Sequence, residues 1–462
     1  MNKYIFLLLF VLCSSVLCAQ KQELDEFNFK MFNKMCADKP NENIIYSPVS
    51  MNLTLGMILN GADEESQKKI KDAIGLSKYS MEQLNECLHE SLDKVTYTYG
   101  NNYFSIEAPN AVWLQKGYDY KKSYVNTLKE YYNTQLFNVD FSSSEGVDSI
   151  NKWTEEQSQG LLPKIHEKSL SDILLDIESN LLFKDRLYYV NDRGNVAGTF
   201  NNADGSKVNV NIMNVINNYH RPSYSIGGFL ITSLYFDSYQ SSDGIAGSGS
   251  WSPSRFETYS LVICFPDNAD EQNELLPLFA KDEDSIYLYD DYKKCICHFG
   301  DKNVIVPELA LNARLNLDSC FKKITGIDLL SNIKLSGISN NQNIKLSSLC
   351  QNIHFCLDGQ GSNSSGQTSA HTRKRKVQLG TLNLCLNRPF KFIIVNQKSR
   401  DILFMGSINK LEGEDVTNVN SVSSEEKRDG NVYDIHGRKC SSASKPGLYI
   451  KNGKKKIVKN IR

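Results

Sequence analysis

Residues 359–376 read GQGSNSSGQTSAHTRKRK, and the alternation of these side chains decides how the rest of the chain is interpreted. The composition, almost without large apolar side chains, is that of a solvated linker. The periodicity is that of a strand. Ser362, Ser364, Gly366, Thr368, Ala370 and Thr372 are all small, whereas Asn363, Ser365, Gln367, Ser369, His371 and Arg373 between them are mostly polar and lengthen along the chain. Side chains of a strand point alternately to opposite faces, so one face here is uniformly small. Such a segment buries too little surface to stand alone. Its small face would nevertheless fit the middle of an existing sheet without overpacking the core beneath.

The sheet that could receive it is sought in the remainder of the chain. The 462 residues are 40% hydrophobic and 23% charged, with 52 Lys+Arg against 53 Asp+Glu, which is ordinary globular composition and excludes disorder and fibrous repeats. A net charge of -1 gives no overall attraction to nucleic acid or an anionic membrane. Apolar residues at helical spacing (Phe27, Met31, Phe32, Met35) precede an extended Ile44-Ile45-Tyr46, after which Ser47-Pro48-Val49-Ser50 opens a helix with Ser47 or Ser50 as its cap. Strands are expected at 110–114, 181–183, 259–265, 304–306 and 390–395, and a hairpin turn at 202–205. The irregular alternation of helical and extended segments implies an α+β fold with mostly antiparallel sheets rather than a doubly wound one. Residues 240–253, rich in Ser and Gly, read as a flexible loop.

Residues 1–19 have the layout of a secretory signal peptide: Lys3, an apolar run over 4–12, then small residues ending Leu17-Cys18-Ala19. The apolar run is too short for a membrane span, so export to the medium or cell surface is expected. Ten of the twelve cysteines follow the signal without framework spacing, and no disulfide is predicted. Cys295-Ile296-Cys297-His298 lacks the spacing of a chelate, so no metal site and no cofactor are expected. Neither a Gly-x-Ser-x-Gly elbow, a His-Glu-x-x-His pair nor a Gly-rich phosphate loop is present, and nothing nominates a hydrolytic triad.

Several motifs in order give the chain a family resemblance. They are NIIYSPVSMNLTLGMILNGA (43–62), NAVWLQKGYDY (110–120), INKWTEEQSQGLLPKI (150–165), LVICFPD (261–267), VPEL (306–309), DGQGSNSSGQT (358–368) and LNRPFKFIIVNQKSRDILFMGSIN (386–409). Through them residues 20–411 resemble a serpin. The resemblance implies an α+β domain of three mostly antiparallel sheets and eight to nine helices. It also implies an exposed reactive loop, here about 359–384, whose first half inserts into the central sheet after cleavage. A target protease would form an acyl-ester with the loop, and insertion would trap that ester before hydrolysis. The protein would act as a monomeric inhibitor and not an enzyme, with a protease as its covalent partner and no nucleic-acid partner.

The resemblance also assigns residues. Gly361, Ser362, Asn363, Ser364, Ser365, Gly366 and Thr368 correspond to the loop hinge, where glycine supplies backbone freedom and small side chains avoid bulk. Ser47, Ser50, Asn180 and Gln351 correspond to the shutter beneath the central sheet. The family's usual spacing from Gly361 places the scissile bond at Arg375-Lys376, whereas counting back from Asn387 lands about three residues later. Arg373, Lys374, Val377 and Gln378 therefore remain alternatives. The basic cluster suits a trypsin-like protease, serine or cysteine, that reads a cation in its specificity pocket. Departures exist: Gly359 replaces the family's usual Glu, Gln367 interrupts the small run on the outward face, Gln351 stands for the usual His, and the Trp expected near Tyr188 or Tyr189 is missing. A non-inhibitory serpin acting as substrate, carrier or chaperone is the alternative.

Beyond the resemblance, residues 412–429 are acidic and Ser/Asn-rich, a linker by composition. Residues 430–462 alternate apolar and polar side chains about His436-Gly437, Pro446-Gly447 and Asn452-Gly453, and carry nine Lys/Arg with no Asp/Glu after residue 436. They read as a small β-module. VYDIHGR and KPGLYIKNGKK resemble the C-terminal sorting domain of type IX (Por-type) secretion, which implies passage across an outer membrane.

Overall fold

The computed structural model describes residues 2–95, 97–99, 104–158, 160, 166, 173–184, 187, 196–217, 223–226, 228–236, 259–268, 274–275, 296–298, 302–340, 344–357, 382–396, 399–415, 432–434, 439–440, 447–451 and 454–458. Two compact units result, 1–414 and 415–462.

The first unit contains, in chain order, α1 (Asn2–Asp38), β1 (Ile44–Tyr46), α2 (Pro48–Gly61), α3 (Glu64–Ala73), α4 (Met81–Val95), β2 (Tyr97–Tyr99), β3 (Phe104–Glu107), β4 (Asn110–Gln115), α5 (Lys122–Tyr131), β5 (Thr134–Val139), α6 (Ser144–Gln157) and β6 (Leu175–Lys184). There follow β7 (Val196–Asn201), β8 (Lys207–Asn217), β9 (Ser223–Ile226), β10 (Phe229–Tyr235), β11 (Tyr259–Pro266), β12 (Ile296–His298), β13 (Lys302–Pro307), β14 (Leu309–Asn316), α7 (Asp318–Thr325), β15 (Cys350–Leu357), β16 (Leu382–Cys385), β17 (Phe390–Asn396) and β18 (Ile402–Ile408). Against the eight to nine helices expected, the described residues hold seven. The expected loop at 240–253 and the positions of Tyr188, Tyr189 and Cys295 lie outside the described residues.

Three sheets share one core. The first runs β14-β15-β6, with β3 and β4 both pairing the other edge of β6 and β5 beyond β4. The second runs β1-β18-β17-β11-β10-β9-β12, and the third runs β16-β13-β8 with β7 on β8. Strands β17 and β18 are buried at every position, which explains their nearly continuous apolar sequences. The turn from β7 to β8 closes through Asn202 N–H to Ser206 O at 2.8 Å, with Gly205 at φ +86°, a left-handed conformation that glycine adopts at no steric cost.

Helix α2 is the hub beneath the first sheet. Pro48 occupies its first turn, where a missing N–H costs nothing, and the Ser47 hydroxyl accepts from Ser50 N–H at 3.2 Å. Most of its residues are buried, polar Ser50 and Thr54 among them, as expected of a helix apolar on all sides. On β6, Leu175, Ile177, Leu181 and Phe183 enter the main core. The alternate Asp176, Glu178 and Asn180 face the other way. Over that second face α6 packs, with Trp153 set edge-on to Trp113 of β4 at 5.9 Å between ring centroids.

In the second unit, residues 439–440, 432–434, 447–451 and 454–458 form a four-stranded antiparallel sheet in that order.

Candidate functional site

The seam between β6 and β15 is a short parallel joint within an otherwise antiparallel run of the first sheet. These strands run parallel and, among the described residues, pair at Asn352↔Asn180, Ile353↔Leu181, His354↔Leu182 and Phe355↔Phe183. On its other edge β15 is held antiparallel to β14 along its entire length, from Leu357↔Leu309 to Cys350↔Asn316. Parallel pairing is also slightly less stable per residue. Separating β6 from β15 therefore breaks one short ladder and leaves β15 on β14, and β6 on β4 and β3, intact.

Polar side chains stitch this seam on both faces. On the inner face Gln351 of β15 grips the start of α2: its Nε2 donates to Ser47 O at 2.8 Å, and its Oε1 accepts from Ser47 N–H at 3.2 Å. Ser50 Oγ donates to Ser179 O of β6 at 2.7 Å. The helix N-terminus thus holds both strands at once. On the outer face Asn352 Nδ2 donates to Asn180 Oδ1 at 3.3 Å. All of these residues are buried. Among the described residues, Asn180 Nδ2 and Ser179 Oγ have no hydrogen-bond partner. A buried donor without an acceptor is costly, and both lie on β6.

Beside them, His354 Nδ1 lies 2.6 Å from Asn312 Oδ1 of β14, and burial pushes the imidazole below its ordinary pKa because the charged form loses solvation.

Of the residues singled out from sequence, the structure brings Ser47, Ser50, Asn180 and Gln351 to this one seam. The hinge residues 361–366 and 368, and the candidates for the reactive bond, Arg373, Lys374, Arg375, Lys376, Val377 and Gln378, lie outside the described residues. Their anchors are described. The chain leaves β15 at Leu357 in the first sheet and re-enters at Leu382 in β16, which pairs parallel with β13 in the third. Sequence reasoning missed Ser179 and Asn352. The polar Asp-x-Glu-Ser-Asn within an otherwise apolar strand was the available signal.

Over residues 22–411 the chain matches the family model of serpins, serine protease inhibitors, and it belongs to that family. Human neuroserpin is 27% identical over 143 residues, a match spanning only 31% of this chain and 34% of that protein. Mouse neuroserpin is 22% identical over 408 residues, 84% of this chain and 90% of the relative. Native protease nexin-1, solved with heparin, superposes with a TM-score of 0.68 at 19% identity, covering 86% of this chain and all of the other. The family is generally one of protease inhibitors rather than enzymes. Among the described residues no helix is long and apolar enough to cross a membrane.

Proposed function

We propose that the protein is an extracellular suicide inhibitor of trypsin-like proteases that cleave after Arg or Lys. The observation that carries this reading is the seam: β15, joined to β6 by four residue pairs, continues directly into the small-faced stretch 359–372. A segment that turns back after β15 runs antiparallel to it, and hence antiparallel to β6 as well. Insertion would replace one short parallel ladder by two antiparallel ones, and the small side chains at 362, 364, 366, 368, 370 and 372 would lie over the core without displacing it. The fourteen residues 359–372 make roughly 45 Å of strand, enough to carry an attached protease far from its point of attack.

The chemistry is that of an interrupted proteolysis. The protease nucleophile adds to the Arg375 carbonyl carbon, the Arg375-Lys376 peptide bond breaks, and Lys376 departs with a new amino terminus. The loop then enters the seam while still esterified. Displacement of catalytic groups by about 1 Å costs on the order of a hundredfold in rate, so the acyl-ester persists once the protease is distorted. In this reading residues 1–19 are removed on export, and residues 430–462 act as a type IX sorting module.

Mixing the mature chain with a trypsin-like protease tests the reading on a denaturing gel. A covalent band near the summed masses, with cleavage at or within three residues of Arg375, is the expected result. Cleavage without an adduct, accompanied by a large rise in thermal stability, would move the function to the substrate or carrier class. Gly359 and Gln367, the two departures within the loop, are what favour that second reading.

A further inference from the structure

A buried His-Asp-Glu cluster lies on the α6-facing side of the first sheet. His166, Asp176 and Glu178 each offer a ligand atom, and these atoms all lie within 4.8 Å of one another. His166 Nε2 stands 3.1 Å from Asp176 Oδ2, with the two side chains 9% and 8% exposed. Glu178 is 5% exposed; its Oε2 accepts from Thr154 Oγ1 of α6 at 3.2 Å, while Oε1 has no hydrogen-bond partner among the described residues. The backbone of His166 is fixed as well. Asn151 of α6 accepts from His166 N–H at 3.0 Å and donates to His166 O at 2.7 Å, which presents the imidazole to β6.

We propose that His166, Asp176 and Glu178 form a binding site for one divalent transition-metal ion of the zinc class, completed by water. One imidazole with two carboxylates is a donor set for zinc rather than for calcium, which takes six to eight oxygens. Tetrahedral zinc, with ligand bonds of about 2.0–2.2 Å, sets neighbouring donor atoms about 3.3 Å apart. The His166–Asp176 pair already meets that spacing. Glu178 needs only a side-chain adjustment, with its unpartnered oxygen available to the metal and Thr154 retaining the other. Asn151 and Thr154 are the outer partners that hold the ligands in place. A bound ion would tie the segment after α6 to β6, one of the two strands of the seam. The ligation itself does not depend on the inhibitor reading, and its test needs no protease.

The test titrates zinc into the full-length protein against a chromophoric chelator, beside His166→Gln and the isosteric Glu178→Gln. One ion per chain is expected, bound at least about tenfold more weakly by either variant. The exposed pair of His89 and Asp93, 3.6 Å apart, supplies the control: His89→Gln leaves the affinity unchanged. Saturating zinc should raise the unfolding midpoint of the parent and of the control but not of the two ligand variants. Cobalt in place of zinc should give ligand-field bands without a thiolate charge-transfer band, and this measurement decides the matter even if a variant does not fold. Absence of stoichiometric binding by the parent, affinity in both ligand variants equal to that of the parent, or a thiolate band from cysteine ligation would each overturn the proposal.

Discussion

The seam can be loosened by one substitution whose cost is readable from the structure. In Gln351→Met the side chain keeps its length and stays buried, but both hydrogen bonds to Ser47 disappear. Ser47 O still accepts from Met51 N–H at 3.0 Å, so only the net value of one bond, about 0.5–1.5 kcal/mol, is lost there. Ser47 N–H has no other acceptor among the bonds described, and leaving it buried and unpaired costs about 1–3 kcal/mol. Burial of the methionine side chain returns part of this, on the order of 0.8 kcal/mol per methylene. A net loss of about 2 kcal/mol follows, and if these bonds are already broken when the seam opens, opening accelerates about thirtyfold. The assay is annealing of a synthetic peptide with the sequence of residues 359–372, followed by native electrophoresis. Asn85→Leu on α4 serves as control, since it removes the acceptor of Tyr132 Oη (2.7 Å) and Asn60 Nδ2 (2.8 Å) away from β6 and β15. That variant should lose stability with its annealing rate unchanged. Equal annealing rates for Gln351→Met and the parent would refute the claim that Gln351 holds the strands together.

Three further outcomes are expected. If the proposed insertion occurs, Ser364→Arg puts a long charged side chain among the small alternate residues that would enter the sheet, so proteolysis of the loop should continue while the covalent adduct disappears from denaturing gels. Burial lowers the pKa of His354 in the fold; between its ordinary pKa of 6.5 and its lower folded value the unfolded chain binds more protons, so stability is lost as pH falls through this window. Urea midpoints at about pH 7.5 and about pH 5.5 should therefore diverge more in the parent than in His354→Gln. Asp25 shows the opposite slope: burial first and the Asp401 charge second, opposed by Lys21, push its carboxyl from 3.8 up to about 8. Across that range the folded chain keeps a proton that the unfolded chain releases, so stability falls as pH rises, and Asp25→Asn should stabilise most at the alkaline end. Midpoints that shift equally at both ends of the range would contradict it.

What the sequence disclosed about the fold followed from local chemistry. Ser47-Pro48 announces a helix start because a hydroxyl cap and a residue without N–H both suit the first turn, and the structure places the cap there. The apolar runs at 110–114, 181–183, 259–265, 304–306 and 390–395 are all strands, since at that length only strands covered on both faces need them. Sheet membership was not legible. Gln351 meets Ser47 across 304 positions, and neither residue carries a local sign of the other. Parallel pairing of β15 with β6 likewise depends on where the intervening strands go.

The Asp176–Asn180 stretch shows why polar residues in a buried strand escape a reading by periodicity. Alternation marks Asp176, Glu178 and Asn180 as one face, and polar residues on one face of a strand ordinarily signify solvent. Here α6 and the stacked Trp113 and Phe137, 4.3 Å between centroids, cover the neighbouring surface, so the same pattern signifies buried groups that require partners. Burial first, and the adjacent Asp176 charge second, raise the Glu178 carboxyl well above its ordinary range, against the bond from Thr154 and the charge of Arg314. Asn180 meets its partner only across the seam. The polar face of β6 therefore carries two distinct demands: at Asn180 for a strand that can supply acceptors, and at Asp176 and Glu178 for a cation or a proton.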